Sequence, residues 1–329
     1  MNDYLYDSAR VRSLEKALIG REGIEQLLGA RDVGELILRL NEMGVASVTD
    51  ADGHFLREEM LLQILRNAYG ELHEAIAENA ELALWLYPYD CNNVKAAIKG
   101  FFRKIDPRSM MFDFGTVGID AVIRMVEEAT FTTLPSAMRE AAVQAMATYA
   151  KQRDPQRIDL LLDRACYADM LAAAKNSPFA FDVVTMKIDM TNLLTLVRIL
   201  RMRSGEAGRM LLCDALIEGG TLSAQSLLFL YDEGEEAVWQ TLSRNERYER
   251  LAQSINATAC SLTDVERCID NFLMDRVREA KWIASGAEVL IGFLLAHEYD
   301  VKNLRILFAS KQAGLPVQTI RERIRESYV

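Results

Sequence analysis

Apolar residues recur along almost the whole chain at the spacing i, i+3, i+4 and i+7, which is the period of an amphipathic α-helix. No stretch keeps the alternating apolar and polar pattern, enriched in Val, Ile and Thr, that is typical of β-strands. Only 6 prolines interrupt the 329 residues. The pattern therefore predicts an all-α fold.

Two long apolar stripes predict helices of many turns. Residues 58–85 form one stripe, which predicts a single helix that ends before Pro88. A second stripe begins at Ser177 or Pro178 and continues towards Arg203. A shorter apolar run, residues 289–296, reads VLIGFLLA and predicts a buried core helix.

One motif occurs three times, and internal repetition is informative about architecture. The segments YDCNNVKAAIK, IDMTNLLTLVR and YDVKNLRILFA share Asp-x-x-Asn followed by an apolar residue. Apolar residues also match four and five positions after each asparagine. The motif residues are Asp90 with Asn93, Asp189 with Asn192, and Asp300 with Asn303.

The repeated motif predicts three related helical units, each ending in an equivalent helix. Asp at an N-cap accepts bonds from free backbone N–H groups, and Asn three residues later can complete a weak capping box. We therefore interpret the six motif residues as structural caps. The composition changes at residues 106–115 and 204–208, and we interpret these segments as linkers between units. The predicted units are residues 1–109, 110–205 and 206–329.

Composition and charge narrow the class of protein. Half of the residues are hydrophobic and 26% are charged, so the chain can bury a core. The formal net charge of -10 disfavours a nucleic-acid partner and favours basic partners. The five cysteines form no CxxC pair, which indicates buried free thiols in a reducing compartment. The first residues lack the apolar core of a secretory signal, and the run at 289–296 is too short to span a bilayer. We expect a cytoplasmic protein without a membrane span.

Motifs that carry catalysis or cofactor binding are missing from the sequence. Neither a Gly-x-x-x-x-Gly-Lys-Ser/Thr phosphate loop nor Gly-x-Gly-x-x-Gly occurs, so ATP binding is not expected. The three histidines are far apart, and no His-Glu-x-x-His or Gly-x-Ser-x-Gly is present. We expect no catalytic residue, no cofactor and no metal site.

Two arginine-rich stretches have two interpretations. Arg198, Arg201 and Arg203 lie at the end of one repeat helix, where cations suit the helix C-terminus. Arg321, Arg323 and Arg325 interleave with glutamates near the chain end. Each set is either a solvated helix face or a surface that docks a partner.

Three stretches of the chain resemble a known family, the C subunit of V/A-type rotary ATPases, which is related to the d subunit of the eukaryotic vacuolar proton pump. They are YLYDSARVRSLEKALIGREGIEQLL at residues 4–28, LIEGGTLSAQSLLFL at residues 216–230, and the segment at residues 287–328 with Glu288, Glu298, Asn303, Leu304, Arg305 and Gly314-Leu315-Pro316. The resemblance covers essentially the full length. The chain departs from the repeat at Cys91 and Asn92, and at Ala309, where the other copies have a basic residue.

The resemblance implies a funnel of three pseudo-symmetric helical bundles and a mechanical function. A non-catalytic subunit of this kind is the socket between the central-shaft subunits and the membrane proteolipid ring. It would lie at the cytoplasmic face of the membrane as a peripheral part of the complex and serve ion transport coupled to ATP synthesis or hydrolysis. The alternatives are an α-helical adaptor of another assembly and an unrecognised helical enzyme.

Overall fold

The structure is a computed structural model that describes residues 4–202, 205–255 and 261–329. Within these ranges the chain is helical without a single β-strand, and its one extended pairing is an isolated bridge between Thr49 and Phe55. The all-α prediction is therefore confirmed.

The α-helices are numbered in chain order. The first nine are α1 Leu5–Leu14, α2 Gly20–Leu28, α3 Val33–Glu42, α4 Arg57–Glu71, α5 His73–Glu78, α6 Ala80–Ala83, α7 Tyr87–Arg103, α8 Ile119–Glu127 and α9 Ser136–Gln152. The others are α10 Pro155–Ala174, α11 Pro178–Met202, α12 Glu206–Ala215, α13 Ala224–Glu233, α14 Glu235–Ser243, α15 Glu249–Ser254, α16 Leu262–Arg278, α17 Ala287–Gln312 and α18 Val317–Arg321. Short 3-10 turns occur at Glu15–Ala17, Leu84–Leu86, Arg108–Met110 and Glu279–Trp282.

Contacts group the chain into two compact units. The terminal unit contains residues 1–75 and 242–329, so both chain ends belong to it, and the middle unit contains residues 76–241. The finer division into residues 1–109, 110–205 and 206–329 stays a prediction.

The middle unit is built around α7, α10 and α11. Lys95 and Lys99 on α7 form ion pairs with Asp163 and Asp159 on α10, and this order shows that the two helices are antiparallel. Helices α9 and α10 form a hairpin that turns at Arg153 in the left-handed region. Asp154 then caps α10 by accepting from the N–H of Gln156 at 2.9 Å. Helix α8 packs on α7, while α12 and α13 pack on α11.

The terminal unit is built around α17, whose residues 289–296 are all buried, as the apolar run predicts. Helix α4 lies antiparallel to it: the Tyr69 hydroxyl donates to Glu298 at 2.8 Å, and Arg305 donates to Glu58 at 3.1 Å. Helices α1, α2, α3, α16 and α18 also pack on α17. None of the helices in the described ranges has both the length and the apolar character needed to cross a membrane.

One of the two long-helix predictions is confirmed and the other is wrong. Helix α11 follows the stripe that starts at Pro178. The stripe at residues 58–85 is divided among α4, α5, α6 and a 3-10 turn. The backbone leaves the helical conformation at Leu72, where α4 ends, and is extended at Asn79, just before α6. An element does end before Pro88, since the 3-10 turn ends at Leu86 and Pro88 lies in the first turn of α7, where its missing N–H costs nothing.

The cysteines agree only in part with the expectation that they are buried free thiols. Cys91, Cys166 and Cys268 are free and buried, as expected, and Cys260 lies outside the described residues. Cys213 is free but exposed, so the expectation of burial is wrong for this residue. It follows the buried Leu212 on α12 and faces outward.

Candidate functional site

The six motif residues are all buried inside helices. Asp90 lies in the first turn of α7, whereas Asp189 and Asp300 lie in the middle of α11 and α17. The prediction that Asp90, Asn93, Asp189, Asn192, Asp300 and Asn303 cap the starts of their own helices is therefore wrong. Buried apolar residues precede Asp189 and Asp300 as well as follow them, so the helix runs through the motif.

The first motif holds the segment that follows α7. The Asn93 side chain donates to the carbonyl of Phe112 at 2.8 Å and accepts from its N–H at 2.7 Å. The carboxylate of Asp90 accepts from the Thr116 hydroxyl at 2.6 Å, from the Thr116 N–H at 3.1 Å and from the Val117 N–H at 3.2 Å. These donors lie just before α8, so Asp90 stabilises the start of a different helix.

The second motif repeats this arrangement in the same unit. Asn192 donates to the carbonyl of Ile217 at 2.7 Å and accepts from its N–H at 2.9 Å. Asp189 accepts from the Thr221 hydroxyl at 2.7 Å and from the N–H groups of Thr221 and Leu222, both at 2.9 Å. The bound segment leads into α13. We call each such set of bonds a clamp.

The third clamp holds both ends of the chain. Asn303 donates to the carbonyl of Arg325 at 3.0 Å and accepts from its N–H at 2.8 Å. Asp300 accepts from the N–H of Ile19 at 2.9 Å and from the N–H of Gly20, at the start of α2. The C-terminal segment thus takes the first half of the clamp and the N-terminal segment the second. The motif residues therefore do not cap the starts of their own helices, but the same pattern of hydrogen bonds from the Asp and the Asn occurs three times.

A second sequence signal accompanies the motif in the middle unit. In both clamps a glycine and a threonine follow the asparagine-bound residue at the same offset: Gly115-Thr116 and Gly220-Thr221. A Cβ at Gly115 would overlap with Asp90, and one at Gly220 would overlap with Asp189. Glycine is thus required by close approach of the carboxylate. The Gly-Thr pairs could have been found in the sequence as the distal half of the repeat.

Burial and hydrogen bonding have opposite effects on the pKa values of Asp90 and Asp300. Burial raises the pKa of Asp90, while bonds from Thr116 and Val117 oppose that rise. Burial raises the pKa of Asp300 to about 7, and the N–H groups of Ile19 and Gly20 lower it only in part. Among the described residues the donors to Asp300 are backbone N–H groups only, and isoleucine stands where the other two clamps have threonine.

The structure describes two of the three residues of the predicted arginine cluster. Arg198 is exposed on α11, and Arg203 lies outside the described residues. Arg201 forms a two-pronged bond with Glu235, with 2.9 Å between Nε and Oε2. Arg201 is thus already bonded within the chain, and the role of Arg198, Arg201 and Arg203 in partner contact stays a prediction.

In the second arginine stretch, neither of the two interpretations applies to Arg325. Arg325 is 7% exposed and pairs with Asp270 at 2.9 Å, so it is neither a solvated nor a docking residue. Arg321 remains at the surface and pairs with Glu25 at 2.6 Å. The sequence could not distinguish these two positions, since they lie four residues apart in one charged run.

One group of potential metal ligands lies in the described ranges. Asp50, Asp52 and His54 have ligand atoms close together on an exposed loop. The Asp50 carboxylate accepts from the N–H of Asp52 at 3.0 Å and from the N–H of His54 at 2.8 Å. These bonds close a turn through the aspartate side chain, which accounts for the grouping.

The clamps define a helical protein in which buried aspartate and asparagine side chains hold chain segments together. Comparison with known proteins agrees with this class. The family model described as "ATP synthase (C/AC39) subunit" matches residues 8–323. The chain belongs to this family, whose members are non-catalytic subunits of A-type and V-type ATP synthases.

Relatives are similar over almost the full length. The C subunit of the A-type ATP synthase of Methanosarcina mazei is 22% identical, over 98% of this chain and 93% of the relative. The C subunit of the V-type sodium ATPase of Enterococcus hirae is 24% identical, over 97% of both chains. The C subunit of the A-type ATP synthase of Haloferax volcanii is 24% identical, over 97% of this chain and 96% of the relative.

Replacement of Asp189 with alanine should lower the free energy of unfolding by about 3 kcal/mol, because it leaves three donors without their charged acceptor in a buried place. An ordinary N-cap loss costs about 1 kcal/mol. Urea denaturation of wild type and Asp189→Ala checks this. A loss of no more than the N-cap value would contradict the clamp.

Gly220→Ala should destabilise the protein by about 1–3 kcal/mol, because the new methyl group overlaps with Asp189. Gly118→Ala is the matched control, since Gly118 also precedes a helix of the middle unit but has open space around the Cβ position. Thermal unfolding of both variants measures the difference. Equal midpoints would show that the close approach has no energetic consequence.

Proposed function

We propose that this protein is the central-stalk subunit that joins the shaft of a rotary ATP synthase to its membrane proteolipid ring. Membership of the ATP synthase C/AC39 family over residues 8–323 is the observation that carries the proposal. The curated relatives are named as the C subunits of A-type ATP synthases and of a V-type sodium ATPase. In this role the chain binds at the cytoplasmic face of the membrane and couples ion transport to ATP synthesis or hydrolysis.

The clamps suit a part that transmits torque. A subunit between two moving partners must resist deformation within its own units while load passes through it. In the two clamps of the middle unit, a buried carboxylate and a buried amide fix the segment that leads into α8 or α13, so that these helices are held to α7 and α11. Buried, fully bonded polar networks rigidify the structure around them.

The ion pairs between α7 and α10 support the same property in the middle unit. Lys95 with Asp163 and Lys99 with Asp159 are one helical turn apart and resist sliding of one helix along the other. These side chains are half-buried, so solvent screens the pairs less than it screens fully exposed ones.

Removal of the subunit should separate ATP hydrolysis from ion pumping. We expect vesicles with the complete complex to pump ions when ATP is added, and complexes without this chain to hydrolyse ATP without pumping. Pumping per ATP hydrolysed, with and without the purified chain added back, is the measurement. Full pumping in its absence would refute the coupling role.

Reversal of Arg198 tests the proposed partner surface. If Arg198 faces acidic groups of a partner, Arg198→Glu should weaken binding of the chain to the complex by about tenfold or more, since broken interfacial charge pairs cost about 2–5 kcal/mol. Arg139→Glu is the control, because Arg139 is an exposed arginine on α9 of the same unit. Equal binding of both variants would reject the assignment.

A further inference from the structure

A small cavity lies between α15 and α16 in the terminal unit, and its described lining residues take no part in the clamps. Its volume is about 190 Å³. Pockets for ligands of drug or cofactor size occupy about 300–1,000 Å³. The cavity therefore suits a small ion rather than a nucleotide. Hydrogen-bond donors come to it from both helices: Arg250 on α15, and Arg267 and Asn271 on α16.

Arg267 has a donor that is shielded from solvent and lacks an acceptor. Among the described residues, no group accepts a hydrogen bond from its Nε atom. Its ion pair with Asp264 is long, with 3.9 Å between Nη2 and Oδ1. The other oxygen of Asp264 accepts from the N–H and the hydroxyl of Ser261. A buried donor without an acceptor is costly, so an acceptor that enters the cavity next to Arg267 is favoured.

Arg250 and Asn271 supply further donors. Among the described residues, Arg250 has no hydrogen bond or ion pair. The Oδ1 atom of Asn271 accepts from the N–H of Glu326 at 2.8 Å, which leaves the amide NH₂ group as a donor. The acidic residue that lines the described part of the cavity, Asp275, pairs with Arg278 at 3.1 Å. Two guanidinium groups and one amide thus border a space whose acidic neighbour is already paired.

The two walls of the cavity are joined to each other. The Cys268 thiol on α16 donates to the carbonyl of Ser254 on α15 at 3.5 Å. Beside the cavity, the ring centroids of Tyr248 and Phe272 are 5.9 Å apart. These contacts hold the arginine-bearing helices together, so the donors are in place before a ligand binds. A site that is formed in advance loses less conformational entropy on binding.

We propose that the cavity bordered by Arg250, Arg267 and Asn271 binds a phosphate-type oxyanion. Guanidinium groups form charge-assisted hydrogen bonds with phosphate oxygens and match their geometry. Donors that approach from two helices suit a tetrahedral ion better than a flat carboxylate. The bound ion supplies the acceptor that the Nε atom of Arg267 lacks, and it lies between two positive charges. Because the volume excludes a nucleoside, the free ion is the ligand rather than the phosphates of a nucleotide.

Calorimetric titration of the full-length protein with inorganic phosphate tests the site. Sodium chloride keeps the ionic strength constant, because salt screens contacts of this kind. We expect saturable binding of one phosphate per chain, similar binding of sulfate, and weaker binding of acetate and of ADP. Arg267→Ala should weaken phosphate binding by about tenfold or more, since it removes charge-assisted hydrogen bonds.

The matched control is Arg323→Ala, which should bind phosphate as the wild type does. Arg323 is an exposed arginine of the same unit and does not line the cavity. Phosphate should also raise the thermal unfolding midpoint of the wild type above that in sodium chloride of equal ionic strength, because a ligand of the folded state stabilises it by mass action.

A second variant keeps the test decisive if Arg267→Ala does not fold. Arg250 is exposed, so Arg250→Ala should keep the unfolding midpoint of the wild type without phosphate and weaken phosphate binding by about threefold. Absence of saturable phosphate binding, equal affinity in the wild type and both cavity variants, or tighter binding of acetate or ADP than of phosphate would each overturn the proposal.

Discussion

A buried carboxylate in a helix needs hydrogen-bond donors, and this requirement determines which distant segments of the chain are held against the long helices. Helix N–H groups around Asp189 and Asp300 already bond along their own helices, so the donors for these carboxylates come from segments far away in the chain. Thr221 and Leu222 meet Asp189 from 32 and 33 residues later, and Ile19 meets Asp300 from 281 residues earlier. Each carboxylate thus binds a segment that leads into another helix.

The asparagine of each motif adds a second, differently shaped bond. Its side-chain amide binds both the N–H and the carbonyl of one residue, as a neighbouring strand would. Phe112, Ile217 and Arg325 are held in this way, which fixes the path of the chain after α7, after α12 and after α18. Aspartate and asparagine are one helical turn apart, so both side chains bind from the same helix face.

The clamps are compatible with the family to which the chain belongs. Their buried aspartates and asparagines bond within the chain, and the chain is a non-catalytic subunit of the ATP synthase C/AC39 family. In the proposed function, these bonds would hold the helices of each unit together while force passes between partners. The terminal unit differs because its clamp closes over two chain ends, and Asp300 has a weaker donor set than Asp90 or Asp189.

The sequence by itself determined the helical class, the long helix that begins at Pro178, the buried run at residues 289–296 and the existence of a threefold motif. These depend on local period and composition, which act within a few turns. Tertiary structure alone decided what the motif does. Local sequence around Asp189 is compatible with a helix cap, because aspartate is a favoured cap residue. In the structure, however, apolar residues before Asp189 continue the helix, and its partner Thr221 is 32 residues away. It also decided that Arg325 is buried against Asp270 while Arg321 stays at the surface, because α16 covers only one of them. Pairings of this kind depend on long-range packing, for which a single sequence carries no local signal.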